Sequence, residues 1–167
     1  LTETPYNHNW YVDGRVKYYD VNIFPSDTTH PNGWGTILVV TMRTGGGAYP
    51  IAHSSGPGLD TLRSAVIIMD VTDPDKPPSL IAEIPMPDNT FTTVNPDIVK
   101  FRKQEVDGSF SINRWYLALA SGVTDLQEFT SDNEPKLFMF DLINKTWVAG
   151  SGGAAGKPIP NIKGWVG

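Results

Sequence analysis

The sequence predicts an all-β fold. Two four-stranded antiparallel units stand in tandem, either as two blades of a β-propeller or as the two sheets of a β-sandwich. Three observations predict this. Residues 65–84 (A-V-I-I-M-D-V-T-D-P-D-K-P-P-S-L-I-A-E-I) spell strand, turn, strand. A β-branched run ends at Asp70 and Val71, a Thr/Asp/Pro cluster reverses the chain, and a second apolar run follows. The same pattern returns at 137–148, where L-F-M-F-D-L precedes I-N-K and then T-W-V. Such an internal echo signals a repeat. The third observation is compositional: 16 glycines and 14 prolines make up roughly 18% of 167 residues, against an average of about 12%. That excess favours short strands and tight turns over long helices.

The elements follow in order. Residues 1–10 are a polar lead-in. The first unit occupies 11–87. Y-V-D-G at 11–14 is a strand end and turn, and 16–23 (V-K-Y-Y-D-V-N-I) is rich in β-formers. Pro25, Ser26, Asp27, Pro31, Asn32 and Gly33 mark a loop. Residues 34–42 (W-G-T-I-L-V-V-T-M) form a nearly continuous apolar run of strand length, as expected of a strand covered on both faces. Residues 44–62, with three consecutive glycines, are expected to form a long loop. The 65–84 hairpin closes the unit, and 85–89 is a linker. The second unit occupies 90–150. It has a weak β segment at 90–94, strands at 96–102 and 115–120, an acidic loop at 124–135, and the last hairpin at 137–148. Residues 151–167 are a Gly/Ala/Pro-rich tail whose end could begin another strand.

The two units match element for element. Residues 37–41 correspond to 116–120, and 66–71 to 138–142, with Asp70 matching Asp141. The offset of about 71 to 79 residues exceeds a simple propeller repeat, and the loops account for the excess. Ile37, Val39, Val66, Ile68, Phe138 and Phe140 are the expected core. Two blades cannot close a propeller, which needs about four to eight. The chain is therefore expected to pack against the rest of its parent protein, or against copies of itself, through open blade faces. A face centred on Val39 or Ile68 is the expected contact.

Composition excludes several classes. A net charge of −5 argues against a nucleic-acid surface. No apolar run approaches the roughly 20 residues of a membrane helix. The absence of cysteine removes disulfides, thiolate catalysis and thiolate metal sites. With Leu at position 1 and no leader pattern, the expectation is a piece of a longer protein.

Candidate chemistry is sparse. Asp125, Glu128, Asp132, Asn133 and Glu134 supply the hard oxygens that calcium needs, without the alternating spacing of a calcium loop. Asp70, Asp73 and Asp75 form a second acidic group that turn chemistry explains better. His8, His30 and His53 lie in separate loops without zinc spacing. Ser54, Ser55 and Ser121 lack a nucleophile elbow. Residues 151–158 (S-G-G-A-A-G-K-P) depart from a phosphate loop, because proline replaces the Ser/Thr that would bind magnesium. Gly45–Gly47 have no following helix to complete an anion site. Trp34, Trp115 and Trp147 start strands and are expected in the core, whereas Trp10 and Trp165 are more open candidates for ligand contact. No catalytic, cofactor or metal residue is expected in this piece.

The motifs, in their order, resemble a known family. They are Y-V-D-G at 11–14, W-G-T-I-L-V-V-T-M-R-T-G-G-G at 34–47, A-V-I-I-M-D-V-T-D-P at 65–74, N-P-D-I-V-K-F at 95–101, R-W-Y-L-A-L-A-S-G at 114–122 and K-L-F-M-F-D-L at 136–142. Together they resemble the β-propeller domain of the type IV pilus tip-associated adhesins, the PilC/PilY1 family. The resemblance implies a bacterial cell-surface protein, reached through the periplasm, that serves pilus assembly, adhesion and twitching motility with minor pilins as neighbours. It also implies a larger propeller and a calcium loop in the parent protein. Neither that loop nor the family's N-terminal adhesive domain is present in these residues. A different class remains open. Asp141 to Trp147 echoes the D-x-x-T-G-K-x-x-W blade signature of quinoprotein (PQQ-type) dehydrogenases, with Asn144 near the Thr-Gly position and no vicinal cysteines. An unrelated intracellular propeller scaffold is disfavoured by the lack of short, regular repeats.

Overall fold

The computed structural model describes residues 11–46, 50–52, 59–61, 63–86, 90–104, 106–131 and 136–148. The lead-in at 1–10 and the tail at 151–167 lie outside them. The chain is all-β. Its first four-stranded antiparallel sheet contains β1 (Val16–Asn22), β2 (Trp34–Thr41), β5 (Ala65–Asp70) and β6 (Ser79–Pro85), in that order across the sheet. The second contains β7 (Asp97–Gln104), β8 (Phe110–Ala120), β9 (Leu137–Asp141) and β10 (Thr146–Trp147), again in chain order. Each is a meander. The expected long loop between the second and third strands carries a small hairpin of its own, β3 (Pro50–Ala52) and β4 (Leu59–Thr61). Its Gly-rich flanks hid two three-residue strands too short to show a period. The weak β segment at 90–94 is not a strand.

Register and alternation decide which residues share a face. In the first sheet Ile37 lies opposite Tyr19 and Asp70, and Val39 opposite Lys17 and Ile68. One face therefore carries Ile37, Val39, Val66, Ile68 and, across from Val66, Ile84. In the second sheet Leu117 faces Ile98 and Phe140, while Leu119 faces Phe138. These two inner faces meet. Val21, Ile37, Val39, Val66, Ile68, Ile84 and Met86 form one buried cluster with Leu117, Leu119, Phe138, Phe140 and Leu142. All six expected core residues are in it, and Phe138 is its largest fully buried side chain.

The reverse faces also carry apolar side chains, set among charged ones: Asp20 and Glu83 on the first sheet, Arg114 and Asp141 on the second. On the first sheet they present Val16, Tyr18, Leu38, Val40, Ile67, Met69 and, beyond a bulge at Ile68/Met69, Leu80. Val16, Tyr18 and Leu80 are well exposed, and Leu38, Ile67 and Met69 are half-buried. On the second sheet the reverse face carries Val99, Phe101, Tyr116, Ala118, Leu137 and Met139. This corrects the expected contact. A face centred on Val39 and Ile68 is not open, since both residues are at most 1% exposed beneath the second sheet. The open face is its reverse. The apolar run of β2 is continuous because alternate residues serve different layers.

Equivalent strands stack on one another. The Tyr19 hydroxyl on β1 donates to Asp97 at the start of β7 at 2.7 Å, and Lys17 Nζ donates to the Pro96 carbonyl at 3.3 Å. Trp34 at the start of β2 meets Trp115 on β8 edge-on, with centroids 5.9 Å apart. After β6, at one edge of the first sheet, the chain recrosses to begin β7 beside β1. Met86 N–H donates to the Ser64 carbonyl, Thr92 N–H to Ser64 Oγ, and Arg43 N–H to Thr92 Oγ1. The crossing thus passes over the ends of β5 and β2, and Thr90 and Thr92 are buried in doing so.

The tryptophans also need correction. Trp147 and Trp115 are half-buried against the core, but Trp34 is 46% exposed. It starts its strand at the sheet's rim, where it meets Trp115 edge-on. For Phe138→Ala we expect a loss of about 3–5 kcal/mol in unfolding free energy from urea melts. A loss under about 0.5 kcal/mol, the range of surface substitutions, would place Phe138 on the wrong face.

Candidate functional site

Both sheets end their third strand on an aspartate, and each aspartate organises the turn after it. Asp70 Oδ1 accepts from the N–H and hydroxyl of Thr72 at 2.9 and 2.6 Å. Asp141 Oδ1 accepts from the N–H of Ile143 and of Asn144, both at 2.9 Å, and its other oxygen takes the Asn144 amide. These are aspartate turns of the ordinary kind. Each carboxylate also meets a basic side chain. Arg114 lies 3.5 Å from Asp141, and His30 Nε2 lies 2.9 Å from Asp70.

His30 bridges two carboxylates. Its Nδ1 is 3.1 Å from Asp27, which also accepts the backbone N–H of Thr29 and His30. A carboxylate only accepts, so both contacts are hydrogen bonds together when both ring nitrogens carry a proton. Phe24 stacks on the ring at 4.0 Å. Gly35 leaves the space for this group: a Cβ there would run into Phe24, Thr72 and His30. The loop at 24–33 is thereby fastened to the end of β5. Burial raises the carboxyl pKa of Asp70, but the bonds from Thr72 and His30 more than offset it and hold the group below its ordinary value. Asp27 is lowered by the His30 N–H and then by its ring.

At this end a groove of about 630 Å³ lies between the layers. Ile23, Phe24, Leu80 and Ile81 line one side, Leu142, Ile143 and Lys145 the other. At the opposite end a polar hollow of about 260 Å³ is lined by Asp13, Arg15, Thr41, Arg43, Thr92 and Asn95. Asp13 is already engaged there by the N–H and hydroxyl of Thr44, at 3.0 and 2.7 Å. Along the β1/β7 edge, burial and then the bond to Asp97 push the Tyr19 hydroxyl far above its usual range. That bond in turn is the main cause lowering Asp97.

The sequence-predicted candidates are dispersed. Asp125 Oδ1 is occupied by the N–H of Gln127 and Glu128, closing a turn that an isolated bridge between Asp125 and Thr130 completes. Asp132, Asn133 and Glu134 lie outside the described residues, as do His8, His53, Ser54, Ser55, Trp10, Trp165 and residues 151–158. Asp73 accepts from Asp75 N–H and pairs with Lys76 at 2.7 Å, apart from Asp70. Ser121 Oγ accepts the Lys136 N–H and has no His beside it among the described residues. Trp147 packs edge-on against Phe138 and Phe140. Among the described residues no group of three His, Asp or Glu is placed to hold a metal. The His30 bridge was missed in the sequence because Asp70, 40 residues on, reaches the local Asp27–His30 pair only when β2 and β5 pair. No protein-family model, curated protein or solved structure matches the chain.

Two measurements follow from this geometry. Asp27 and Asp70 have lowered folded pKa values, so their contribution is present above the unfolded value of about 3.9 and is lost as pH falls through the folded one. Urea midpoints should therefore drop on acidification below about pH 4, and less steeply in Asp70→Asn. An unchanged slope in that variant would assign the acid loss to other carboxylates. Calcium titration calorimetry should show no site tighter than about 10⁻⁵ M, the limit of sensor sites. A tighter site would restore the acidic loop as a ligand set.

Proposed function

We propose that the chain is a non-enzymatic binding and structural module, two blades of a β-propeller in a bacterial cell-surface protein of the type IV pilus tip. The observation that carries the blade reading is the crossing from β6 to the edge beside β1. Each meander is complete before the next begins, and the first two strands of one meet the first two of the other, Tyr19 on β1 at Asp97 of β7 and Trp34 on β2 at Trp115 of β8. Blades succeed one another around a propeller in this way, whereas a Greek-key sandwich shares its strands between layers. The apolar side chains on the reverse faces support the same reading, because a blade has neighbours on both sides.

The pilus assignment rests on the order of motifs from Y-V-D-G at 11–14 to K-L-F-M-F-D-L at 136–142. A binding role suits the site geometry better than catalysis. The carboxylates Asp13, Asp70 and Asp141 at the two ends are engaged by neighbouring N–H and hydroxyl groups, and the reverse faces expose Tyr18, Leu80 and Phe101. Among the described residues no helix is long and apolar enough to cross a membrane. The test is localisation. Antibodies against the purified chain should label pilus tips of the source bacterium in electron micrographs, and a pilus-deficient strain should lose that pattern. Label confined to the cytoplasm would overturn the assignment.

A further inference from the structure

The polar hollow at the end of β1 and β2 holds an excess of positive charge. Arg15 and Arg43 both line it, and among the described residues Asp13 is its one carboxylate. Asp13 is held by Thr44, whose N–H and hydroxyl donate to it at 3.0 and 2.7 Å. Arg43 Nη1 reaches Asp13 Oδ2 only at 4.0 Å, and its side chain is well exposed; such a pair binds weakly. Arg15 makes no side-chain hydrogen bond or ion pair among the described residues. Two guanidinium groups therefore face one occupied carboxylate, on a chain whose net charge is −5.

The backbone holds Arg43 there against its own preference. Gly45 N–H donates to the Met42 carbonyl at 2.8 Å, closing a turn in which Arg43 has a φ of 52°. Glycine or asparagine is the usual occupant of a left-handed position, and a long side chain is strained in it. Strained residues of this kind cluster at functional sites. The backbone N–H of Arg43 is spent on Thr92 Oγ1, but its guanidinium keeps donors to give. Across the hollow, the crossing supplies Thr93 and Asn95. Neither makes a side-chain hydrogen bond among the described residues, whereas Thr41 and Thr92 are already engaged.

Two forks of N–H donors with one charge in excess suit a single carboxylate. The Thr93 hydroxyl and the Asn95 amide both donate and accept, so they suit hydroxyl groups. The volume of about 260 Å³ falls just below the roughly 300–1,000 Å³ of small-molecule pockets, which sets the ligand at the size of one sugar. We propose that this hollow binds a small hydroxylated monocarboxylate of the sugar-acid class, with its carboxylate between Arg15 and Arg43 and its hydroxyls on Thr93 and Asn95. The ligand ties the first sheet to the crossing. The site depends on neither the blade reading nor the pilus assignment.

Calorimetry on the whole chain at low salt, with D-glucuronate as the probe, is the test. Glucuronate should bind at a single site. Glucose keeps the hydroxyls without the charge, and acetate keeps the charge without the hydroxyls; each should bind about tenfold more weakly or worse. Inorganic phosphate, a more highly charged anion, should also bind more weakly. Arg15→Gln and Arg43→Gly should each weaken glucuronate binding by about tenfold or more. Glycine relieves the strained φ, so Arg43→Gly should melt no lower than wild type by circular dichroism, and its loss of binding is then not a loss of fold. Should Arg15→Gln fail to fold, Asn95→Ala, outside any strand, replaces it; it should weaken glucuronate and leave acetate unchanged. The absence of glucuronate binding would overturn the proposal. So would glucose or phosphate bound as tightly as glucuronate, or an Arg43→Gly or Asn95→Ala variant that binds glucuronate as wild type does.

Discussion

The seam between the two inner faces is the contact on which the remaining interactions rest. Its members come from every strand of the first sheet and from the two central strands of the second, with Leu142 just past β9. Each fully buried aliphatic or aromatic side chain contributes about 1.5–3 kcal/mol. A hydrogen bond to a charged group, such as the one Asp97 accepts at the rim, contributes about 1.5–3 kcal/mol net, no more than one such side chain. The Tyr19–Asp97 bond and the Trp34–Trp115 contact therefore fix how the layers are aligned, and the seam decides that they stay together. Neither sheet could bury its inner face alone.

The crossing between the layers shows the other side of this arrangement. A chain segment laid over strand ends brings backbone N–H groups out of water, and an unpaired one costs about 1–3 kcal/mol. Thr92 answers this with its own hydroxyl, which takes the Arg43 N–H at 2.6 Å, while Ser64 Oγ takes the Thr92 N–H at 3.2 Å. Small hydroxyl side chains suit the place because they are short and both donate and accept; nearby, Gly122 leaves room for the segment, since a Cβ there would meet the Phe91 carbonyl and the Thr93 hydroxyl.

Much of this was legible in the residues. The apolar runs of 65–71 and 137–142, each with an aspartate near its end, located the third strands, their turns and four of the six core positions. The signal was ambiguous in 34–42, where every residue but Gly35, Thr36 and Thr41 looks inward-facing. Only pairing with β1 and β5 shows that Leu38 and Val40 face away from Ile37 and Val39. The His30 bridge and the Arg114–Asp141 pair were invisible for a different reason. Their partners lie 40 and 27 residues apart in the chain and share no spacing rule. Trp34 misled because a large indole at a strand start resembles core, and its exposure depends on how far the neighbouring layer extends.

The meeting of unlike faces bears on how such a chain can change in length. If like faces met, a third unit would find its only matching surface already taken. With Asp70 and Asp141 superposed, Ile37 matches Tyr116 and Leu38 matches Leu117, so the inner face of one sheet corresponds to the reverse face of the other, and an added tandem copy would present a face in the same register as one already buried. Duplication of a single stretch of gene is then enough to lengthen the row, with no new surface to evolve. Ile68 and Met139 hold equivalent places with different side chains, and so do Met69 and Phe140. Divergence of this kind lets each junction along a lengthened row acquire its own fit, so that units come to recognise their proper neighbours.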